Sequence, residues 1–307
     1  MTHSHGDDQR RLGDRRALRG ALALVAVFAV VEVVAGYAAG SIALLADAGH
    51  MLGDAGSLGL ALFAAWLGSR PASPDRSFGY RRAEILAALA NGVALVAIAI
   101  WIVAEALQRL RDPVEPAGGW VFVVGVVGLA LNLAAASLLH RRGSGSLNVQ
   151  GALRHVLADA LGSLGVIAAG AIVLLTGWSY ADPLVALAIA ALVLGSSWTL
   201  LRESVAILLE GTPRELDAGE IGRAMIGVPG VREVHDLHVW TITSGFPSLS
   251  AHVLVAQGSD CHGKRRELEY MLAERFGLSH TTLQVDHADA GSARVELGTA
   301  EARRTPL

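Results

Sequence analysis

The chain has 307 residues, of which 52% are hydrophobic and 17% charged, and a formal net charge of -3; its mean hydropathy is +0.46. Soluble domains carry about 25% charged residues, so composition points to a membrane protein, and the near-neutral charge gives no basis for a nucleic-acid partner. The single cysteine, Cys261, excludes an intrachain disulfide and any C-x-x-C metal motif.

Residues 1–19 are polar and are read as an N-terminal tail. The apolar run that follows is too long for the core of a cleaved signal. Six apolar segments, at about 20–38, 42–67, 84–108, 118–139, 151–176 and 183–208, each approach the roughly 20 residues needed to cross a bilayer. They predict a six-helix, all-α transmembrane domain over 20–209. Arg10, Arg11, Arg15, Arg16 and Arg19 precede the first span, Arg70, Arg76, Arg81 and Arg82 lie between spans 2 and 3, and Arg141 and Arg142 between spans 4 and 5. The opposite connections, AAGS and TGWSYADP, carry none. Arg109 and Arg111 are the exception, with Asp112 and Glu115 in the same loop. Arginine favours the cytoplasmic side, so both termini are expected there, in a bacterial plasma membrane.

After Glu210 the sequence becomes polar. Residues 210–290 are read as a soluble cytoplasmic domain and 291–307 as a disordered tail. PRELDAGEIGRAMIG reads as a helix with the proline near its start. VREVHDLHVWTIT and SLSAHVLVA alternate as strands. CHGKRRELEYMLAERFG reads as a helix stopped by Gly277, and HTTLQVD as a third strand. The order α-β-β-α-β makes a small two-layer α+β domain. No phosphate-cradling glycine loop or nucleophile elbow is present in the sequence.

The chemistry lies in the spans. In span 2, His50 and Asp54 are four apart, hence one turn apart on one helix face, and Asp47 joins that stripe three residues earlier. Span 5 repeats the pattern with His155 and Asp159. One such group can simply bond a neighbouring helix, but a charged aspartate at membrane depth costs about 2.5–3.5 kcal/mol even on the mild insertion scale. Repetition therefore argues for use. Two imidazoles and two carboxylates make a four-ligand shell that suits tetrahedral Zn2+ and leaves the loaded site nearly neutral. Co2+, Ni2+ and Cd2+ follow zinc. Free histidine titrates near pH 6.5, so protons compete with metal, and an exchange of the two across the membrane is expected. Gly49, Gly53 and Gly56 in span 2, and Ala158, Gly162 and Gly165 in span 5, suit close helix approach, though the chain is glycine-rich throughout.

The stretches SIALLADAGHMLGDAGSL, FGYRRAEILAAL, NVQGALRHVLADALGSLGVI, YADPLVALAIAALVLGSSWTLLRESVAILLEGTP and VREVHDLHVW resemble the cation diffusion facilitator family, particularly its zinc-transporting branch. The resemblance runs from about residue 15 to 288. It implies six transmembrane helices, a cytoplasmic metallochaperone-like domain, a homodimer and zinc/proton exchange. His50, Asp54, His155 and Asp159 match the transport site, and Asp47 matches a supporting position. The histidine-containing version of the site goes with zinc preference. A second, cytoplasmic metal site is implied at His235, His252 and Asp286, to which His280 and His287 are candidate additions. Cys261, His238, His262 and Asp289 are ordinary surface groups on this reading.

The sequence departs from the family in two places. The link between spans 4 and 5, HRRGSGSLN, is not histidine-rich, and His3 and His5 are a weak substitute. The loop after span 2 has Asp75 as its only acidic residue and no histidine, so no strong site is expected there. Glu32 and Asn132 sit deep in spans and either line a cavity or bond a neighbour. Neither these two nor Asn91, Glu105 and Glu203 are expected to be direct ligands. Arg81, Arg82 and Glu84 suit either salt bridges or solvated membrane flanks. The leading reading is a zinc exporter. A broader divalent-metal exporter has the same architecture. A membrane-anchored metal sensor differs in that it would tolerate loss of Asp159. An intramembrane enzyme finds no H-E-x-x-H motif.

Overall fold

The computed structural model describes residues 26–141, 147–288 and 295–296. The chain forms two compact units, Met1–Leu62 with Ala90–Leu201, and Phe63–Leu89 with Arg202–Leu307.

Six apolar helices run in chain order: α1 (Ala26–Ala39), α2 (Ile42–Gly68), α3 (Ala83–Arg111), α4 (Gly118–Arg141), α5 (Leu147–Thr176) and α6 (Ala181–Leu208). Long stretches of Leu, Ala, Val and Ile take this form in hydrocarbon because a helix satisfies its own backbone. Among the described residues, α2, α3, Asp159–Thr176 of α5, and α6 are long and apolar enough to cross a membrane, while Ala26–Ala39 and Gly118–Ala134 are shorter apolar helical stretches. Large side chains such as Trp120, Leu175, Leu192 and Trp198 are exposed, as lipid-facing residues are. The interior of the first unit gathers Phe28, Ile42, Met51, Leu95, Ile102, Val166 and Ile189.

Small residues let these helices touch. A Cβ on Gly170 of α5 would lie 2.5 Å from the Phe122 nitrogen of α4, and one on Gly118 would lie 2.8 Å from the Leu174 nitrogen. These backbones pack with no room for a side chain. The glycines of α2 serve a different neighbour from the one expected. Positions for a Cβ on Gly49, Gly53 and Gly56 face Ile98, Leu95 and Asn91 of α3, not α5. In α5, Gly162 faces Asp47 of α2 and Gly165 faces Val185 of α6.

The second unit carries α7 (Ala218–Ile226), β1 (Val231–Thr241), β2 (Pro247–Val255), α8 (Cys261–Phe276), β3 (His280–His287) and β4 (Val295–Glu296). The sheet order is β3-β2-β1-β4. β1 and β2 are antiparallel, whereas β3 lies parallel to β2 and β4 parallel to β1. Parallel pairing of β2 with β3 requires a crossover, which α8 supplies. Ile221 and Met225 of α7 and Leu268 and Leu272 of α8 are buried with Val234, Leu249 and Val253 of the sheet. The alternate positions His252 and Leu254 of β2 are only partly buried.

Two sequence expectations change here. The first domain helix begins at Ala218, not near Pro213: the Leu216 N–H bonds the Pro213 carbonyl in a turn. Asp217 then caps the helix, accepting from Gly219 N at 2.7 Å and Glu220 N at 3.0 Å. The segment expected to be a disordered tail supplies the short β4, paired with Val234 and His235 of β1. A two-residue strand carries no alternation to read.

Candidate metal centre

The helix that carries His50 is fixed at its start by a residue far away in sequence. Asp182, in the first turn of α6, accepts from Ser41 Oγ at 2.5 Å, Ile42 N at 2.7 Å and Ala43 N at 3.4 Å. The first N–H groups of a helix have no partner within it, and here a buried carboxylate takes two of them. Arg109 of α3 donates to the Gly40 carbonyl in the preceding turn and pairs with Glu105 at 3.2 Å. Sequence reading missed Asp182. Its only trace was a charged residue at the start of an apolar run.

Two turns further along α2, His50 lies between two carboxylates. Its Nδ1 is 3.5 Å from Asp54 Oδ2 on the same helix, and its Nε2 is 3.6 Å from Asp159 Oδ1 on α5. One ligand atom from each of His50, Asp54 and Asp159 can be chosen so that all lie within 4.8 Å of one another, the only such group of three found among the described residues. A tetrahedral ion with ligand bonds of about 2.0–2.1 Å has ligand atoms about 3.3 Å apart, so a small closure would bring these atoms to bonding distance. His155 precedes Asp159 by one turn of α5; its side chain lies outside the described residues. His50 and Asp54 are about one-quarter exposed and Asp159 is buried.

Asp47 is not in that group. It is buried, and a Cβ on Gly162 would lie 2.7 Å from its Oδ1, so it packs directly on the α5 backbone. Glu32 of α1 is fully buried against Gly128 of α4, and Asn132 of α4 donates to Ser163 Oγ of α5 at 3.3 Å.

In the C-terminal domain, β1 and β2 place His235 and His252 directly opposite each other, with ring centroids 5.3 Å apart. Glu233 Oε1 lies 3.1 Å from His235 Nδ1. The other candidates lie elsewhere. Asp286 is opposite Leu254 and accepts from Gln284 at 2.9 Å. His280 packs against Phe246 and Phe78, with centroids 5.2 and 5.9 Å away. The His287 ring lies 3.6 Å from Cys261 Sγ at its nearer nitrogen, and its Nε2 is 3.1 Å from the Ser259 carbonyl. A bulge with Asp236 at φ 52° turns His238 outward, where it bonds Asp236 at 2.8 Å. That bond holds the Asp236 carboxyl below the usual range.

The loop and membrane-flank residues also find partners. Arg82 pairs with Glu210 at 3.0 Å, Glu84 accepts from Thr243 at 2.6 Å, and the Arg81 guanidinium lies 4.5 Å from the Phe246 ring centre. Glu203 pairs with Arg214 at 3.7 Å. His3, His5 and Asp289 lie outside the described residues.

Residues 18–209 match the cation efflux transmembrane domain, and residues 213–288 match the cytoplasmic domain of cation efflux proteins. The chain is 42% identical over 292 residues to the metal cation efflux system protein CzcD of Cupriavidus metallidurans, covering 95% of this chain and 92% of that one. It is 37% identical over 291 residues to the cadmium, cobalt and zinc/H(+)-K(+) antiporter of Bacillus subtilis, covering 93% and 92%. To the zinc transporter ZitB of Escherichia coli it is 41% identical over 292 residues, covering 94% and 93%. With both domains matched in order along one chain, the protein belongs to the cation efflux family of integral membrane proteins.

Proposed function

We propose that the protein exports Zn2+ from the cytoplasm in exchange for protons, through a site made by His50, Asp54, His155 and Asp159. The observation that carries this reading is the convergence of His50, Asp54 and Asp159 from two apolar helices. Two carboxylates balance the charge of the ion, and imidazole tilts the set from hard cations toward zinc. Imidazole nitrogen binds either metal or proton, never both. Metal entering from the cytoplasm displaces protons, and protons entering from the far side displace metal. No covalent chemistry is required, so the protein acts as a secondary transporter. The names of the relatives support metal export: one is called a zinc transporter and another an antiporter of cadmium, cobalt and zinc. The latter favours a second reading, in which this chain also exports Cd2+ and Co2+.

The protein is read as a homodimer in a bacterial plasma membrane, with both termini in the cytoplasm. The facing pair His235 and His252 forms the core of a cytoplasmic zinc site, with Asp286 able to join only after a shift from its Gln284 bond. His280 and His287 are not part of that site, because each is engaged by other groups.

Transport into proteoliposomes tests the proposal. Zn2+ uptake is expected to rise with an imposed proton gradient and to acidify or alkalinise the lumen in step with its direction. Asp54→Ala and Asp159→Ala should each abolish it. Uptake unaffected by both substitutions would overturn the site assignment, and metal movement indifferent to the pH gradient would overturn the coupling.

A further inference from the structure

Beside the candidate transport site lies a second buried carboxylate pair that the metal-binding triad does not use. Glu32 of α1 and Asp47 of α2 are 0% and 1% exposed. All four of their oxygens are buried without a hydrogen-bond partner. Among the described residues neither forms an ion pair with a basic group. Polar neighbours are present. The Ser163 hydroxyl donates to the Asp159 carbonyl, and Asn132 donates to Ser163. Ser163 directly follows Gly162, on which Asp47 packs, and Asn132 lies one turn along α4 from Gly128, on which Glu32 packs. Gly162 and Gly128 clear the space that the two carboxylates occupy, since a Cβ at either would approach Asp47 Oδ1 at 2.7 Å or Glu32 Oε1 at 3.2 Å.

Two carboxylates with neutral hydroxyl and amide neighbours, drawn from α1, α2, α4 and α5, are an all-oxygen donor set. Such a set suits a hard or water-retaining divalent cation. Their two charges balance one such ion. We propose that Glu32 and Asp47, with Asn132 and Ser163, form a second cation site within the membrane domain, a waypoint for the transported ion next to the triad. Ser163 links the two, because its hydroxyl bonds the carbonyl of Asp159, a member of the triad, and it follows Gly162, on which Asp47 packs. A metal leaving nitrogen ligation at His50 is then received by oxygen ligands that hold it more weakly. This inference rests on the reading of His50, Asp54 and Asp159 as the transport site.

Equilibrium binding of Zn2+ and Mn2+ to the full chain in detergent micelles tests it, with proton release recorded in parallel. Glu32→Gln keeps the size of the side chain and removes its charge. It is expected to lower the Zn2+ count by about one per chain and to weaken Mn2+ binding about tenfold or more. Zn2+ affinity at the remaining sites should stay within about twofold. Glu32→Asp, which keeps the charge, should restore part of the Mn2+ binding and controls for folding. Equal metal counts in Glu32→Gln and wild type would overturn the proposal. So would a change in protons released per Zn2+ with no change in metal count, which would make the pair a proton carrier only. Asp54→Asn gives a separate arm: if it leaves Zn2+ binding intact, the transport-site reading fails whatever Glu32 does.

Discussion

Replacement of Asp182 should loosen the helix that carries His50, although Asp182 is outside the proposed metal shell. In the native state its carboxylate takes two short bonds, from Ser41 Oγ at 2.5 Å and Ile42 N at 2.7 Å, and a long one from Ala43 N at 3.4 Å. Bonds to a charged group contribute about 1.5–3 kcal/mol each, so the two short ones bound the loss at about 3–6 kcal/mol. Part is recovered, because the Ser41 hydroxyl already accepts from Leu44 N at 3.2 Å and so retains a cap of its own. Asp182→Ala is therefore expected to cost about 2–4 kcal/mol and Asp182→Asn, which keeps one acceptor, about half that. Denaturant unfolding of the full chain in micelles measures both. Ser41→Ala combined with Asp182→Ala should cost less than the sum of the two single changes, since they share one bond. An Asp182→Ala chain within about 0.5 kcal/mol of wild type would refute the reasoning. It would mean that water or Ser41 alone satisfies the start of α2.

Further substitutions separate packing, capping and binding. Gly170→Ala, whose Cβ would meet backbone at 2.5 Å, should destabilise the chain by about 1–3 kcal/mol, whereas Gly195→Ala on α6, which meets nothing within 4 Å, should be neutral or mildly stabilising in the same unfolding assay. Leu272→Ala removes a fully buried side chain of α8 and should cost about 2–5 kcal/mol, read from the unfolding of the C-terminal domain in the full chain. Backbone N–H groups of Glu220 and Gly219 hold the Asp217 carboxyl below its ordinary pKa, so its contribution is present above the unfolded carboxylate pKa and is lost as pH falls through the lower folded one. Amide exchange in the first turn of α7 should be faster in Asp217→Ala at neutral pH, with the difference vanishing in acid. His252→Ala should weaken Zn2+ binding to the cytoplasmic domain, whereas His280→Ala should leave it unchanged, as isothermal titration of the full chain would show.

Much of the architecture could be read from apolar run lengths, because each run had to supply a hydrocarbon-facing helix and little else. The span expected at 42–67 is α2 at Ile42–Gly68, and that at 118–139 is α4 at Gly118–Arg141. Alternation located β1 and β2, and Gly277, with φ 67°, ends α8 where glycine signalled a stop. Other features depend on partners and left no local pattern. Helix α7 starts at the residue able to cap it, and the proline five residues before its first residue only shapes the approach. Strand β4 exists through its pairing with β1. The glycines of α2 looked like a seam for α5 but take side chains of α3, since small residues announce a close neighbour without saying which.

The acidic residues of the apolar helices show why chemistry is harder to read than fold. In sequence, Glu32, Asp47, Asp54, Asp159 and Asp182 are alike: carboxylates in hydrocarbon, each costly on its own. What separates them is where nearby hydrogens go. Asp182 receives two backbone N–H groups and a hydroxyl, so its charge is consumed in holding α2. Asp54 and Asp159 face the two nitrogens of one imidazole, a group that exchanges a proton for a metal. Glu32 and Asp47 are buried with no hydrogen-bond partner for any of their four oxygens. A spacing of four residues finds the second kind, because each aspartate follows a histidine by one turn of its own helix, Asp54 after His50 on α2 and Asp159 after His155 on α5. The first and third kinds join α6 to α2, and α1 to α2 and α5, across the fold. Donor accounting in three dimensions is therefore what distinguishes an anchoring carboxylate from one left available to a cation.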